Sequence, residues 1–305
     1  MLDCPERGAS GVPAGPGIFV VGAGRVGAGL ALLFRSSGLR VIGQWTRSAS
    51  RAEVVQREQG VEVASGPLPR SLSQAAVVLV AVSDGALQEV AAALARPGVL
   101  GPAVEAVLHC AGAIAAHEAL AALVGRLPVG TFHPLVAVPP GAGGPAALEC
   151  AHVTLEGDPE AVEVGGALAT SLGLPSAELS AGELPLYHAA AVMASNHAVV
   201  LWTAAARLLV RAGRTPEAAR SALLALVRST VENVAAVGVP EALTGPVRRG
   251  DHVTVARHLD ALAAVAPEWL SLYRAATLGA VAVAEECSRP PSPEELARLR
   301  ALVQD

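Results

Sequence analysis

Lysine is absent from the chain, so all 22 basic side chains are arginine. Any chemistry that needs a lysine acid, base or Schiff base is thereby excluded. Charge is scarce as well: 16% of the 305 residues are charged and 52% are hydrophobic, against about 25% charged in typical soluble domains. That balance excludes intrinsic disorder and implies a large aliphatic core. Aromatic residues, at 3%, are too few for a stacking site that holds a large aromatic ligand. The basic stripe that nucleic-acid binding requires is missing too, because the net charge is −5 and the arginines are scattered.

Four cysteines, Cys4, Cys110, Cys150 and Cys287, stand far apart without a C-x-x-C pair. They read as reduced thiols of a cytoplasmic protein, not as a disulfide frame or a zinc site. Long hydrophobic runs are lacking. Residues 75–82 form one of the longest, far short of the roughly 20 that span a bilayer. The richest later stretch, 189–202, is broken by Ser195, Asn196 and His197. Residues 1–7 have neither the charge nor the apolar core of a signal peptide. A soluble cytoplasmic protein is expected, with no membrane and no nucleic-acid partner.

What the chain does have is alternation. Residues 1–16, rich in Gly, Pro and Ser, read as a loose leader. From Gly17 onward short apolar runs alternate with amphipathic stretches. Strands are predicted at 18–21, 41–45, 77–82, 104–109, 130–133 and 152–156, with helices at 27–37, 50–59 and 86–95. Residues 77–82 are continuously apolar, as in a parallel strand buried on both faces. Strands and helices in this order predict a doubly wound parallel sheet. After about 175–180 the pattern turns helical. One long helix is predicted over 183–213, and Thr215-Pro216-Glu217 opens a second that ends at Gly238. Helices at 251–266 and 267–286 follow, and Pro290-Pro291-Ser292-Pro293 sets off a short one at 294–303. The expected organisation is α/β then all-α: leader 1–16, sheet domain 17–178, helical domain 179–286 and tail 287–305.

Gly22-Ala23-Gly24-Arg25-Val26-Gly27 fits G-x-G-x-x-G, directly after the first strand and at the opening of the first helix. The first glycine permits a tight turn, the second lets backbone approach a pyrophosphate, and the third allows close helix–strand packing. An NAD site carries Asp or Glu about 20 residues further on, to accept from the ribose 2′-OH. Here the stretch is Gln44-Trp45-Thr46-Arg47-Ser48, without an acid. Arg47 suits a 2′-phosphate, helped by the Thr46 and Ser48 hydroxyls, so NADP(H) is the expected cofactor. Val82 and Ser83, after the strand at 77–82, border the same site, while Asp84 and Asp251 read as helix N-caps.

Among eight histidines, three fall where a nicotinamide site belongs. His109 ends the strand at 104–109, His133 closes another, and His188 lies near the start of the long helix. Loops at the carboxyl ends of strands form the ligand crevice of a doubly wound sheet, and histidine is the natural proton carrier near neutral pH. Asn196 belongs to a polar cluster on an otherwise apolar helix, which is costly to bury without a purpose. The spacing of the histidines supports no zinc site, and no metal is expected.

Together, the glycine turn, His109-Cys110-Ala111-Gly112, His133-Pro134-Leu135, Tyr187-His188-Ala189-Ala190-Ala191 through Ala194-Ser195-Asn196, and Leu243-Thr244-Gly245-Pro246 with Arg249-Gly250-Asp251 resemble one family. It is the Rossmann-like proteins bearing the C-terminal domain of unknown function 2520, with a C-terminal part like that of 6-phosphogluconate dehydrogenase. The resemblance covers roughly 17–286. It implies an NADP-dependent oxidoreductase without an assigned substrate. The layout is similar to pyrroline-5-carboxylate reductase, ketopantoate reductase, prephenate dehydrogenase and the β-hydroxyacid dehydrogenases, whose helical domains commonly dimerise. A homodimer through the helical domain is therefore expected, in keeping with helices that are apolar on most faces. The catalytic lysine of ketopantoate reductases and β-hydroxyacid dehydrogenases has no counterpart here. His188 resembles the histidine of prephenate dehydrogenases, although the His-Asp pair there is His188-Ala189 here.

The expected function is an NADP(H)-dependent oxidoreductase moving hydride to or from a small carbonyl, hydroxyacid or imine. His188 is the expected proton donor or acceptor and Asn196 polarises the reacting group. His109 and His133 line the nicotinamide side of the crevice. The alternative is a non-catalytic dinucleotide-binding sensor or accessory protein whose histidines are structural. The missing lysine and the apolar Val136-Ala137-Val138 speak for that alternative.

Overall fold

A computed structural model describes residues 16–139 and 143–304, so all but the last residue of the expected leader lies outside the described residues. The sheet-forming part runs β1 (Ile18–Val21), α1 (Arg25–Ser36), β2 (Val41–Thr46), α2 (Ala49–Gln59), β3 (Ala64–Ser65), β4 (Val77–Val80), α3 (Leu87–Leu94) and β5 (Ala106–His109). It continues with α4 (Ala116–Ala119), β6 (Val129–Leu135), α5 (Gly143–Leu148), β7 (His152–Gly157), α6 (Pro159–Ser171) and β8 (Ser176–Glu178). Then come α7 (Leu184–Val192), α8 (Ala198–Arg211), α9 (Pro216–Val237), α10 (His252–Val265), α11 (Leu270–Glu285) and α12 (Pro293–Gln304).

The strands form one sheet in the order β3-β2-β1-β4-β5-β6-β7-β8. Every neighbouring pair is parallel except β6 with β7. The predicted doubly wound sheet is thus present, with the strand order reversing beside β1. Beyond the carboxyl ends of β1 and β4 the chain leads to α1 on one face and to α3 on the other, which leaves a crevice there. β1 shows why the sheet is held: Ile18 and Val20 pack into the core on one face, Phe19 and Val21 into the core on the other. Alternation of side chains along a strand makes this two-sided burial possible. Each large side chain taken fully out of water contributes about 1.5–3 kcal/mol. β3 and β8 have no apolar run to announce them, and they lie at the two sheet edges.

The chain divides into two compact units between Ser195 and Asn196, later than the expected break at 178. The reason is that the start of the helical region packs with the sheet: Leu184 is fully buried and Tyr187 bonds His133. The long helix predicted over 183–213 is interrupted by a π-helical turn, Met193–His197, where its polar residues cluster. With that turn included, Leu184–Arg211 is the one helical stretch among the described residues long and apolar enough to cross a membrane, by length and composition.

In the second unit Val255 and Leu259 of α10, Val281 and Ala284 of α11, and Leu296, Leu299 and Val303 of α12 share one core. The segment expected as a tail is therefore a core helix, because the prolines at 290–293 redirect the chain without ending its packing. Thr215 caps α9 and Asp251 caps α10 as read from the sequence, each accepting a backbone N–H three residues on. Asp84 instead opens a short 3-10 turn without a side-chain cap. Cys110 and Cys287 are free thiols as expected, Cys150 is disulfide-bonded and departs from that expectation, and Cys4 lies outside the described residues.

Candidate active site

The crevice, about 990 Å³, lies in the first unit at the carboxyl ends of the strands. Gly22 turns the chain out of β1 with φ +124°, and its N–H donates to the Trp45 carbonyl at 2.7 Å. A Cβ there would lie 2.1 Å from the Ala81 oxygen, so only glycine fits. At Gly27 a Cβ would meet the Gly22 oxygen at 2.5 Å, which is why α1 can close onto the turn. Gly24 differs: a Cβ would meet nothing within 4 Å. Its lack of a side chain leaves open space in front of the N-terminus of α1, which no side chain caps. Unsatisfied N–H groups and the helix dipole make such an end suited to a phosphate.

Every residue expected to hold the cofactor borders this crevice except Gly27, which packs behind it. Ser48 caps α2 by accepting from the Arg51 N–H, and Arg51 Nε donates to the Ala23 carbonyl at 2.6 Å. These bonds tie the end of β2 to the glycine turn. Arg47 lies 3.5 Å from Glu89, but the two side chains are 78% and 74% exposed. A surface pair of that kind is weak and competes little with a bound phosphate. Cys110 also borders the crevice, and burial pushes its thiol up to about 12, so it holds its proton.

Beside the crevice, one face of the sheet carries a polar row. His109 on β5 stands in register with Thr131 on β6, and Thr131 with Glu156 on β7. The Ala111 N–H donates to His109 Nδ1 at 3.1 Å. That backbone donor assigns the ring proton to Nε2, which donates to the Thr131 hydroxyl at 3.0 Å. Thr131 donates in turn to Glu156 Oε2 at 2.9 Å, which also accepts the Ala116 N–H at 2.8 Å. Burial, and next the nearby His133, lower the His109 pKa to about 4. His109 is 0% exposed with both ring nitrogens engaged, so it does not line the crevice as expected. Cys110 and Ala111, the next two residues, form that wall, and His109 holds them from beneath.

Two residues along β6, His133 pairs in register with Thr154. Its Nδ1 lies 2.9 Å from the Tyr187 hydroxyl of α7, and its ring centroid 6.4 Å from that of His188. Burial and then His188 lower the His133 pKa to about 4. Burial raises the Tyr187 pKa, opposed by the nearby Thr154 hydroxyl. His188 Nδ1 is buried without a partner. Gly112 sits between the two rings: a Cβ there would lie 2.7 Å from His133 Nε2 and 2.9 Å from His188 Nδ1.

The first unit thus brings His109, His133 and His188 together. Asn196 is exposed in the π-helical turn, the first residue of the second unit. Sequence reasoning missed Thr131, Thr154, Glu156 and Tyr187 as members. The usable signal was the two-residue spacing, Thr131 with His133 and Thr154 with Glu156, which puts polar groups on one face of adjacent strands. Among the described residues no group of three or more His, Cys, Asp or Glu is arranged to hold a metal.

Residues 17–100 match the family described as NADP oxidoreductase coenzyme F420-dependent, and residues 151–279 match domain of unknown function 2520. Among curated proteins none matches the sequence. Among solved structures, a Thermotoga maritima protein is 22% identical, with 89% of this chain and 100% of that chain covered and a TM-score of 0.68. A Bacteroides fragilis protein, named provisionally as an NADP oxidoreductase, is 21% identical over 87% of this chain and 97% of its own, at a TM-score of 0.67. A pyrroline carboxylate reductase of Plasmodium falciparum with NADP bound is 11% identical, with coverage of 94% and 98% and a TM-score of 0.59. Likenesses at these identities establish the fold.

Proposed function

The chain carries an NADP-oxidoreductase segment followed by domain of unknown function 2520, and from that pairing we propose an NADP(H)-dependent oxidoreductase acting on a small carbonyl, hydroxyacid or imine. The observation that carries it is the glycine turn. Gly22 and Gly27 are glycine because backbone packs against them, whereas Gly24 faces open space at an uncapped helix end. A cradle of that form fits a dinucleotide pyrophosphate. At the end of β2, Arg47 with the Thr46 and Ser48 hydroxyls suits the 2′-phosphate, and no acid is present to favour the plain ribose.

Bound NADPH supplies hydride, or NADP⁺ accepts it. The chain's own contribution is proton handling beside the crevice: His188, with its buried and unpartnered Nδ1, is the acid or base. His133 stands next to it, and the His109–Thr131–Glu156 row holds the wall of the crevice rigid. The reading includes a homodimer, supported by the apolar side chains the second unit leaves exposed, such as Leu226 at 61% and Val239 at 73%.

Calorimetric titration with NADPH and NADH, then turnover on a carbonyl and imine panel, tests the function. NADPH binding ahead of NADH, with turnover of one class, is expected. Binding without turnover would favour the accessory-protein alternative, and no binding of either would overturn the proposal. Sedimentation of the full chain tests the dimer, and a species of monomer mass would remove it.

A further inference from the structure

Tyr187 and Thr154 have no part in hydride or phosphate chemistry, yet both converge on His133. Thr154 sits opposite His133 in the β6–β7 register, and the Tyr187 hydroxyl reaches His133 Nδ1 from α7 at 2.9 Å. A phenol is a stronger donor than acceptor, and burial keeps the Tyr187 proton in place, so its hydrogen goes to His133 Nδ1. Nδ1 then accepts, and the imidazole proton resides on Nε2. Nε2 faces Gly112, and so does His188 Nδ1, with both nitrogens within 3 Å of the point a Cβ would occupy. His188 Nδ1 is buried and has no partner of its own. A buried polar nitrogen is ordinarily paired, so one left open beside a second ring nitrogen marks a place for an external atom.

Building on the oxidoreductase function proposed above, we propose that Tyr187 positions His133 as an Nε2–H donor, and that this N–H and His188, with its proton on Nδ1, together seat one acceptor atom of the substrate. The substrate class that fits is a neutral carbonyl. A fixed N–H donor meets the lone pair of a carbonyl oxygen, whereas a cationic iminium has only N–H or N–C bonds to present and no lone pair. A cation would also need a carboxylate nearby. Glu156, the carboxylate on this sheet face, is committed to Ala116 and Thr131. Gly112 is the third element of the seat, because any side chain there would come between the two nitrogens.

The experiment uses the full chain labelled with ¹⁵N-histidine. Long-range ¹H–¹⁵N correlations report the tautomer of each ring, and the His133 signals are assigned by their loss in His133→Gln. The expected result is the Nε2–H form in the wild type. Tyr187→Phe keeps the aromatic ring but removes the hydroxyl, and should release His133 into a mixture of tautomers. An Nδ1–H ring in the wild type, or a tautomer unmoved by Tyr187→Phe, overturns the positioning role.

Kinetics with NADPH on an open-chain ketone and a cyclic iminium then test the substrate class. Ketone turnover is expected, with kcat lowered about tenfold or more by Tyr187→Phe and KM for NADPH unchanged. Preference for the iminium overturns the carbonyl assignment. NADPH calorimetry on the same samples separates the two layers. Failure to bind NADPH sinks the oxidoreductase function and this inference with it, whereas NADPH binding with an Nδ1–H ring sinks this inference alone.

Discussion

Mild acid should destabilise the first unit well before its carboxylates titrate, and His109 sets the scale. Its folded pKa is about 4 against 6.5 when solvated, because burial strips water from the ring and His133 lies close. Between those values the unfolded chain binds a proton that the folded chain refuses. Stability therefore rises with pH across the window and is lost as the solution is acidified from 6.5 toward 4. Integrated from about pH 7 down to about pH 5, the loss from His109 alone is about 2 kcal/mol. His133, also held near 4, adds in the same direction, although the two rings feel each other and their losses do not simply double.

Urea denaturation of the full chain reads this directly. Trp45 is the tryptophan of the first unit, while Trp202 and Trp269 lie in the second, so replacing the latter two by Phe leaves a fluorescence probe for the sheet alone. With a urea slope of about 2 kcal/mol per molar, the midpoint should fall by about 1 M or more between pH 7 and pH 5. His109→Gln retains an amide that can bond Thr131 but does not titrate, and it should remove close to half of that fall. A wild-type midpoint that stays level over this range refutes the buried neutral histidines and the row built on them.

Glu156→Ala strands the Thr131 hydroxyl and the Ala116 N–H in the interior, at a cost of about 3–5 kcal/mol measurable by the same denaturation. Thr131→Val should then cost less in the Glu156→Ala background than alone, because the network is already broken; equal costs would show that the groups act independently. Arg47→Ser should weaken NADPH binding by about 10–100-fold by calorimetry and leave NADH unchanged. His188→Ala should lower turnover by about 10²–10⁴-fold with NADPH affinity intact, and an undiminished rate would remove His188 from the chemistry. Gly112→Ala would bring a methyl within 3 Å of His133 Nε2 and His188 Nδ1, so both rings must shift and turnover should fall by about tenfold or more.

How far the sequence could be read follows from what each residue answers to. The glycine turn was legible because three separate requirements, a positive φ, an open approach and a close packing, each demand glycine at a fixed spacing. The buried strands β1, β4 and β5 were legible as apolar runs. The two edge strands were not, since β3 and β8 have two and three residues and little to bury. Nor was the π-helical turn, because residues 186–212 hold no Gly or Pro to mark a break. His109, His133 and His188 were picked out by position, but their division of labour was not visible. Which ring is tied at both nitrogens and which is left open depends on Ala111, Thr131 and Tyr187, contacts that only the folded sheet creates.

The antiparallel pairing of β6 with β7 has a consequence for how this chain can vary in length. Both polar pairs, Thr131 with Glu156 and His133 with Thr154, depend on one alignment of these two strands. Sliding β7 by a single residue would turn its polar side chains to the opposite face and present Val153 and Leu155 to the histidines instead. Insertions or deletions in the connection over 136–151 must therefore be absorbed within that connection. The hairpin cannot take them up by re-registering without dismantling the proton-handling groups while the hydrophobic sheet around them persists.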